Sequence, residues 1–246
     1  MKLSILSSSS AGNCYVLHND TEALIIECGV RLGEIKKALD YNIAKIVGCI
    51  VTHEHNDHAG YMSELINSCI PVYCSRGTAD AKQLLSERGL NIVQPKSAVM
   101  IGNFKVMPFD VQHDCAEPLG YLINHTETGN VLFATDTFYL KYKFRELNNI
   151  LIECNYSEDI LYQNVDDGKL PYTVQQRVSG SHMSYETCLT TLQANDLSRV
   201  NNIVLIHLSS GNSNAEQFKQ GITQATGKNV KIAEKGLILD FNKLPF

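Results

Sequence analysis

The stretch "IVGCIVTHEHNDHAGY", residues 46–61, runs from a continuous apolar segment straight into three histidines and an aspartate. The apolar part has the length of a strand buried on both faces. His53, His55, Asp57 and His58 then form an H-x-H-x-D-H pattern where that strand ends and the chain heads toward a helix. A compact turn at this point aims alternate side chains at one site and the next pair at a second. Such an arrangement suits two divalent cations about 3.5–4 Å apart. Imidazole and carboxylate donors suit zinc, manganese or iron, and the lack of thiolates among them argues against a structural zinc knot. A solvated turn explains one such histidine; it does not explain three and an aspartate in six residues.

Two cations need more than four ligands, so the remaining histidines matter: His18, His113, His125, His182 and His207. His113 follows the strand-like "VMPFDVQ", Asp136 closes "NVLFATD", and His207 closes "NIVLI". Each stands where a buried strand meets a loop, the place where an α/β architecture presents its chemistry. His18 and His125 lead into polar turns and read as surface histidines.

Outward from the opening stretch, "KLSIL", "NCYVLHN" and "ALIIE" are β-prone runs, and "RLGEIKKALD" carries Leu32, Ile35 and Leu39 at helical spacing. "YMSELINSC" and "TADAKQLLSER" read as helices around the strand "PVYC". The middle of the chain is strand-rich, with "LGYLINH" and "NVLFATD" joined by the turn "TETGN". The last third alternates again. Residues 164–181, "NVDDGKLPYTVQQRVSGS", read as a long loop near the site. No repeat or linker interrupts this order, which predicts one α/β domain over 1–246 with two sheets and helices packed outside.

Composition narrows the setting. The chain has 246 residues, 44% hydrophobic and 19% charged, enough for a real core. No run approaches the roughly 18 apolar residues of a membrane span, and the start is too weakly apolar for a signal peptide. Eight cysteines are scattered singly with no C-x-x-C pair. That pattern predicts reduced thiols and a cytoplasmic protein with no membrane partner. A net charge of −5 excludes a broadly basic nucleic-acid coat but not a local basic groove.

The histidine run with His113, Asp136 and His207 at strand ends resembles the metallo-β-lactamase superfamily. "SSSSAGNCYVL", "HDCAEPLGY", "ATDT", "SHMSYE" and "IHLSSGNSN" extend the likeness to the WalJ/YycJ-type exonucleases within it. The resemblance implies a four-layer αββα sandwich with two divalent metals at one edge of the sheets. It places His53, His55 and His113 on one metal, Asp57, His58 and His207 on the other, and Asp136 between them. Glu27, where the superfamily usually has aspartate, would orient the histidine turn through hydrogen bonds. His55 and Asp136 argue against a redox di-iron centre and against a true β-lactamase. His207 follows Asp136 by only 71 positions, which leaves no room for the clamp domain of the β-CASP nucleases.

The reaction so implied is phosphodiester hydrolysis by a metal-bridging hydroxide, with Asp57 orienting it and DNA as the substrate, degraded 5′-to-3′ as an exonuclease. By the same resemblance His182 contacts the scissile phosphate or protonates the leaving oxygen. Ser184 after it could cap a helix turn that favours anions. Ser8 and Ser9 lie in a turn that could bind phosphate or simply close a hairpin. Lys141 and Lys143 sit among aromatics in "LKYKFREL", a pattern that suits nucleic acid or a solvated helix face. Arg177 in the loop is a further candidate. The alternative function is a small-molecule phosphodiesterase on the same scaffold.

Overall fold

Leu24 and Ile26 point to one side of their strand and Ile25 to the other, yet all three are fully buried. Ile150 and Ile152 oppose Leu151 in the same way, and Ile203 and Leu205 oppose Val204. Period-two alternation with no exposed face requires something packed on both sides of each sheet. The computed structural model, which describes residues 1–245, supplies it.

The first half runs β1 (Lys2–Ser9), β2 (Gly12–His18), β3 (Ala23–Ile26), α1 (Leu32–Ala38), β4 (Ile46–Ile50), α2 (Asn56–Ala59), α3 (Met62–Asn67), β5 (Val72–Cys74), α4 (Arg76–Ala81) and β6 (Leu90–Ile92). The second half begins with β7 (Val99–Ile101), β8 (Phe104–Asp110), β9 (Leu119–His125), β10 (Gly129–Ala134) and β11 (Leu147–Glu153). It continues with α5 (Glu158–Asp166), α6 (Tyr172–Ser181), α7 (Tyr185–Gln193), β12 (Asn202–Ile206), α8 (Ala215–Thr226), β13 (Asn229–Ile232) and β14 (Ile238–Asp240).

Two seven-stranded sheets result, ordered β14-β1-β2-β3-β4-β5-β6 and β13-β12-β11-β10-β9-β8-β7. In each, four neighbouring strands are parallel: β3 to β6 in the first and β10 to β13 in the second. Leu24, Ile26 and Tyr15 meet Phe133, Leu151 and Val204 between the sheets. Outside, Ile25 and Val51 pack with Ile35 and Leu65 on one face, and Ile152 and Leu205 pack with Leu192 and Phe218 on the other. Each fully buried side chain of this size contributes about 1.5–3 kcal/mol, so the inner and both outer interfaces all hold the layers. This is the αββα sandwich expected from the sequence.

Four local readings need correction. Residues 164–181 are not a long loop: α5 ends there and α6 fills Tyr172–Ser181. Leu170, Val174 and Val178 pack with Tyr156 and Leu161, a spacing of four that the Asp-Asp-Gly break had masked. The helix in "TADAKQLLSER" stops at Ala81, because Gln83 takes a left-handed conformation, φ 58°. Residues 140–146 are not helical and lead directly into β11. His125 is buried rather than exposed, its Nε2 3.0 Å from Glu22 Oε1, and that pair ties the two sheets at the end away from the histidine run. His18 is half-buried, with Nε2 2.8 Å from Ser4 Oγ.

Candidate metal centre

The parallel strands β3, β4, β10, β11 and β12 all deliver their carboxyl ends to one seam between the sheets, the end where α/β folds bind ligands. Glu27, Asp136 and His207, each one or two residues past a strand, have left-handed φ values of 65°, 47° and 54°. Such a conformation costs about 1–3 kcal/mol for a residue with a side chain, so surrounding contacts must enforce it. Glu27 N–H donates to Ile50 O at 2.9 Å, and His207 N–H donates to Ser8 Oγ at 2.9 Å.

The histidine turn is stitched to the segment after β3. Cys28 N–H donates to His58 O at 2.8 Å, Tyr61 N–H to Cys28 O at 3.0 Å, and Gly29 N–H to Asn13 O at 2.9 Å. The approach is so close that a Cβ on Gly29 would lie 1.8 Å from the Asp57 carbonyl oxygen. Only glycine lets these three segments meet.

Three donor groups form there and Asp136 belongs to all of them: two gather the histidine turn with His113 or His207, and the third joins Asp136 to Glu153, His182 and His207. In the first, His53 Nε2 is 3.0 Å and His113 Nε2 3.2 Å from His55 Nδ1. Asp136 Oδ2 lies 3.6 Å and 3.5 Å from the same nitrogens of His53 and His113. In the second, Asp57 Oδ2 is 3.2 Å from His58 Nε2 and 3.4 Å from His207 Nε2, while Asp136 Oδ2 is 3.3 Å from His58 Nε2. Bonds of about 2.0–2.1 Å to a tetrahedral ion put its ligand atoms about 3.3 Å apart, the spacing observed.

The outer ring nitrogens decide which lone pairs point inward. His113 Nδ1–H donates to Ser181 O at 2.8 Å, and His53 Nδ1 meets Thr52 Oγ1 at 2.9 Å. With its proton outside, His113 presents the Nε2 lone pair to His55 Nδ1, which also faces His53 Nε2 and can offer a proton to only one of them. A cation satisfies all three nitrogens at once, so the residues fit a metal site. His58 has Nδ1 3.5 Å from Glu27 Oε1; both atoms are buried, and neither has a hydrogen-bond partner among the described residues. Glu27 Oε2 accepts from Thr52 N–H, so the carboxylate does face the histidine turn.

Charge in the seam favours a cation. Burial would raise the carboxyl of Asp57, but hydrogen bonds with His207 and His58 hold it well below its usual range. Burial likewise opposes ionised Asp136, and charge on His207 and His58 keeps it low. For His207, burial disfavours the charged ring, yet Asp136 and hydrogen bonds with Asp57 and Glu153 push it up to about 10. His53 is held low by burial and by neighbouring His58. The carboxylates stay ionised, and the positive charge they attract can be a proton or a metal in competition.

Glu153 escaped the sequence reading. It is fully buried at the last position of β11 and accepts from Thr137 N–H at 3.0 Å and Met183 N–H at 3.1 Å. Its Oε1 lies 2.7 Å from His182 Nδ1 and 3.2 Å from His207 Nδ1. Burial opposes charge on His182, but the carboxylate and its hydrogen bond raise the ring's pKa. A usable signal was present: "ILIEC" at 150–154 mirrors "LIIEC" at 24–28, and each glutamate ends a strand and faces a histidine. Asn13 was missed too. Its fully buried Nδ2 lies 3.2 Å from Asp57 Oδ2 and 3.1 Å from His58 Nε2.

The expected substrate contacts are distributed unevenly. Ser8 Oγ is engaged by His207 N–H and Tyr15 Oη, so this hydroxyl supports the wall of the centre. Ser9 Oγ accepts from Ala11 N–H in the same turn. Ser184 caps α7 by accepting from Thr187 N–H at 3.1 Å. Lys141 is exposed and paired with Asp110, Lys143 is exposed beside it, and Arg177 is exposed on α6.

No helix among the described residues is long and apolar enough to cross a membrane. Residues 9–186 match the family model described as "Metallo-beta-lactamase superfamily". The chain is 26% identical over 242 residues to exodeoxyribonuclease YycJ of Bacillus anthracis, covering 91% of this chain and 88% of that one. To exodeoxyribonuclease WalJ of Streptococcus pneumoniae it is 24% identical over 228 residues, covering 86% and 83%. Among solved structures, the metallo-beta-lactamase fold protein YhfI of Bacillus subtilis superposes with a TM-score of 0.72 at 17% identity, over 97% of this chain and 98% of that one. With the family match spanning most of its length and the sandwich and donor sets in place, the chain belongs to the metallo-beta-lactamase superfamily and is a metal-dependent hydrolase.

Proposed function

We propose that the chain is a binuclear phosphodiester hydrolase acting on DNA, an exonuclease that degrades a double strand from its 5′ end. The observation that carries the reading is the pair of donor sets sharing Asp136, with His182 held on a buried carboxylate beside them. The relatives named exodeoxyribonucleases support DNA as the polymer.

On this reading His53, His55, His113 and Asp136 hold one divalent cation, and Asp57, His58, His207 and Asp136 hold the other, whether zinc, manganese or iron. Bound there, the cations supply Lewis acidity, lowering the pKa of water and drawing charge from a phosphoryl oxygen. Asp57 keeps its charge and accepts a hydrogen bond from the attacking water, which sets the water's lone pair toward phosphorus. Glu153 fixes the His182 ring through Nδ1 and leaves Nε2 to carry a proton to the departing oxygen. Glu27 steadies the histidine turn through Thr52 and His58.

The test combines metal analysis with a substrate panel: end-labelled single- and double-stranded DNA, RNA, and bis(p-nitrophenyl) phosphate, with wild type and Asp57→Ala. Stepwise shortening of duplex DNA from the 5′ end, lost in Asp57→Ala, is the expected result. Hydrolysis of the small ester alone would replace this reading with a small-molecule phosphodiesterase.

A further inference from the structure

The segment that leaves Asp136 buries Thr137, Leu140 and Phe144 but turns other side chains outward. Phe138 and Tyr139 are 38% and 50% exposed, and residues 139–143 then lie against α7. Between them is an elongated cavity of about 300 Å³ lined by Tyr139, Lys141, Lys143, Thr187, Thr190 and Asn195. Phe144 N–H donates to Asn195 Oδ1 at 2.7 Å and ties the two walls together.

Both walls follow residues of the metal centre closely in the chain. Tyr139 is three residues from Asp136, so their Cα atoms are at most about 11 Å apart. Thr187 is five residues past His182, in the first turn of α7. From Thr187 to Asn195 the helix wall runs about 12 Å. Chain length therefore keeps the Tyr139 end of the groove near the seam.

Its chemistry suits a nucleic-acid strand. Lys141 and Lys143 line one wall, with Lys96 and Arg145 nearby, in a chain whose net charge is −5. Lys96 and Lys141 place their ammonium groups 5.7 Å and 5.2 Å from the Tyr142 ring centroid. Only Asp110 answers this cluster; Lys143 and Arg145 meet no carboxylate among the described residues. The α7 wall offers threonines and an asparagine, with no charge to repel phosphate. Alternating cations and aromatics in a groove is how proteins hold single strands without reading sequence.

Resting on the nuclease reading above, we infer that one strand of the substrate leaves the metal centre along this groove, with a base stacked on Tyr139 and its phosphates against Lys141 and Lys143. The test compares single-stranded oligothymidylates of two and eight nucleotides. Wild type is expected to show a kcat/KM about tenfold or more higher for the longer one, the size of one stacked base. Tyr139→Ala combined with Lys143→Ala will collapse that ratio toward one through KM, and Tyr139→Phe will retain it. Fluorescence anisotropy with a labelled octamer in chelator will show a Kd about tenfold weaker for the double variant. Lys219→Ala, which removes an equal charge on α8, will change neither reading. A length preference that survives the double variant overturns the groove and leaves the nuclease standing. Cleavage at duplex ends with no measurable binding of the single-stranded octamer also overturns it. A wild type that hydrolyses bis(p-nitrophenyl) phosphate but no oligonucleotide overturns both.

Discussion

Glu153 Oε1 and His182 Nδ1 lie 2.7 Å apart, and the same oxygen lies 3.2 Å from His207 Nδ1. One buried carboxylate thus orients a candidate proton donor and a candidate metal ligand together. Replacing Glu153 with Gln preserves shape and removes charge, so the raised pKa of His182 falls. The alkaline limb of the pH–rate profile for DNA will therefore move to lower pH, with kcat reduced about 100-fold, within the range of general acid catalysis. The p-nitrophenyl ester, whose leaving group needs no proton, will lose far less in His182→Ala. Equal losses on both substrates would remove His182 from the proton transfer.

Asp136→Asn withdraws charge from both donor sets at once. We expect fewer than two cations per chain by mass spectrometry and at least about 100-fold weaker metal binding, beyond what an outer hydrogen-bond partner commands. Unchanged metal content in this variant would show that the two sets do not share Asp136.

Asn13→Ala removes an amide that touches Asp57 and His58 but lies outside the donor sets. Affinity for a cation held by Asp57, His58 and His207 is expected to fall about 10- to 100-fold by titration, with the other site little changed. A uniform loss at both sites would point to a collapsed turn instead.

Gly29→Ala forces a Cβ against the Asp57 carbonyl and the Asn13 nitrogen, at 1.8 and 2.5 Å. Backbone cannot yield as a side chain can, so a destabilisation of about 3 kcal/mol is expected, measured by urea unfolding. Gly33→Ala is the control, because nothing lies within 4 Å of its added methyl; it should not lower the midpoint.

His18 contributes to the pH dependence of stability. Burial of the ring, with Lys45 and Lys2 nearby, lowers its pKa from 6.5 to about 4. Below pH 6.5 the unfolded chain takes up the proton first, so stability is complete above 6.5 and declines as pH falls toward 4. The loss is roughly 2 kcal/mol once the ring's partial exposure is discounted. His18→Gln will flatten this slope in urea midpoints taken at pH 7 and pH 4.5.

The two-layered sheet and the seam were legible because their signals are local. A strand buried on both faces writes itself as an unbroken apolar run, and a ligand at its end stands out as the first polar residue. His113, Asp136 and His207 were found in this way. Glu153 closes an equally buried run, and only the likeness of "ILIEC" to "LIIEC" marks it. His125 was misread because burial at a strand end depends on what leans over it, here Glu22 from the other sheet. α6 was obscured by glycine and paired aspartates, although its apolar spacing was intact. Asn13 and Gly29 matter through approaches between segments distant in the chain, which no single stretch encodes.

The histidine turn hangs from one layer, whereas His113, Asp136 and His207 hang from the other. Cations seated among them would rivet the layers together, adding a cross-brace where buried rings and carboxylates otherwise face each other. A ligand held by the native seam alone stabilises it by about 2.7 kcal/mol at 100 times its Kd. The lifetime of the folded chain thereby becomes tied to metal supply, and starvation for metal erodes the joint as well as the catalyst.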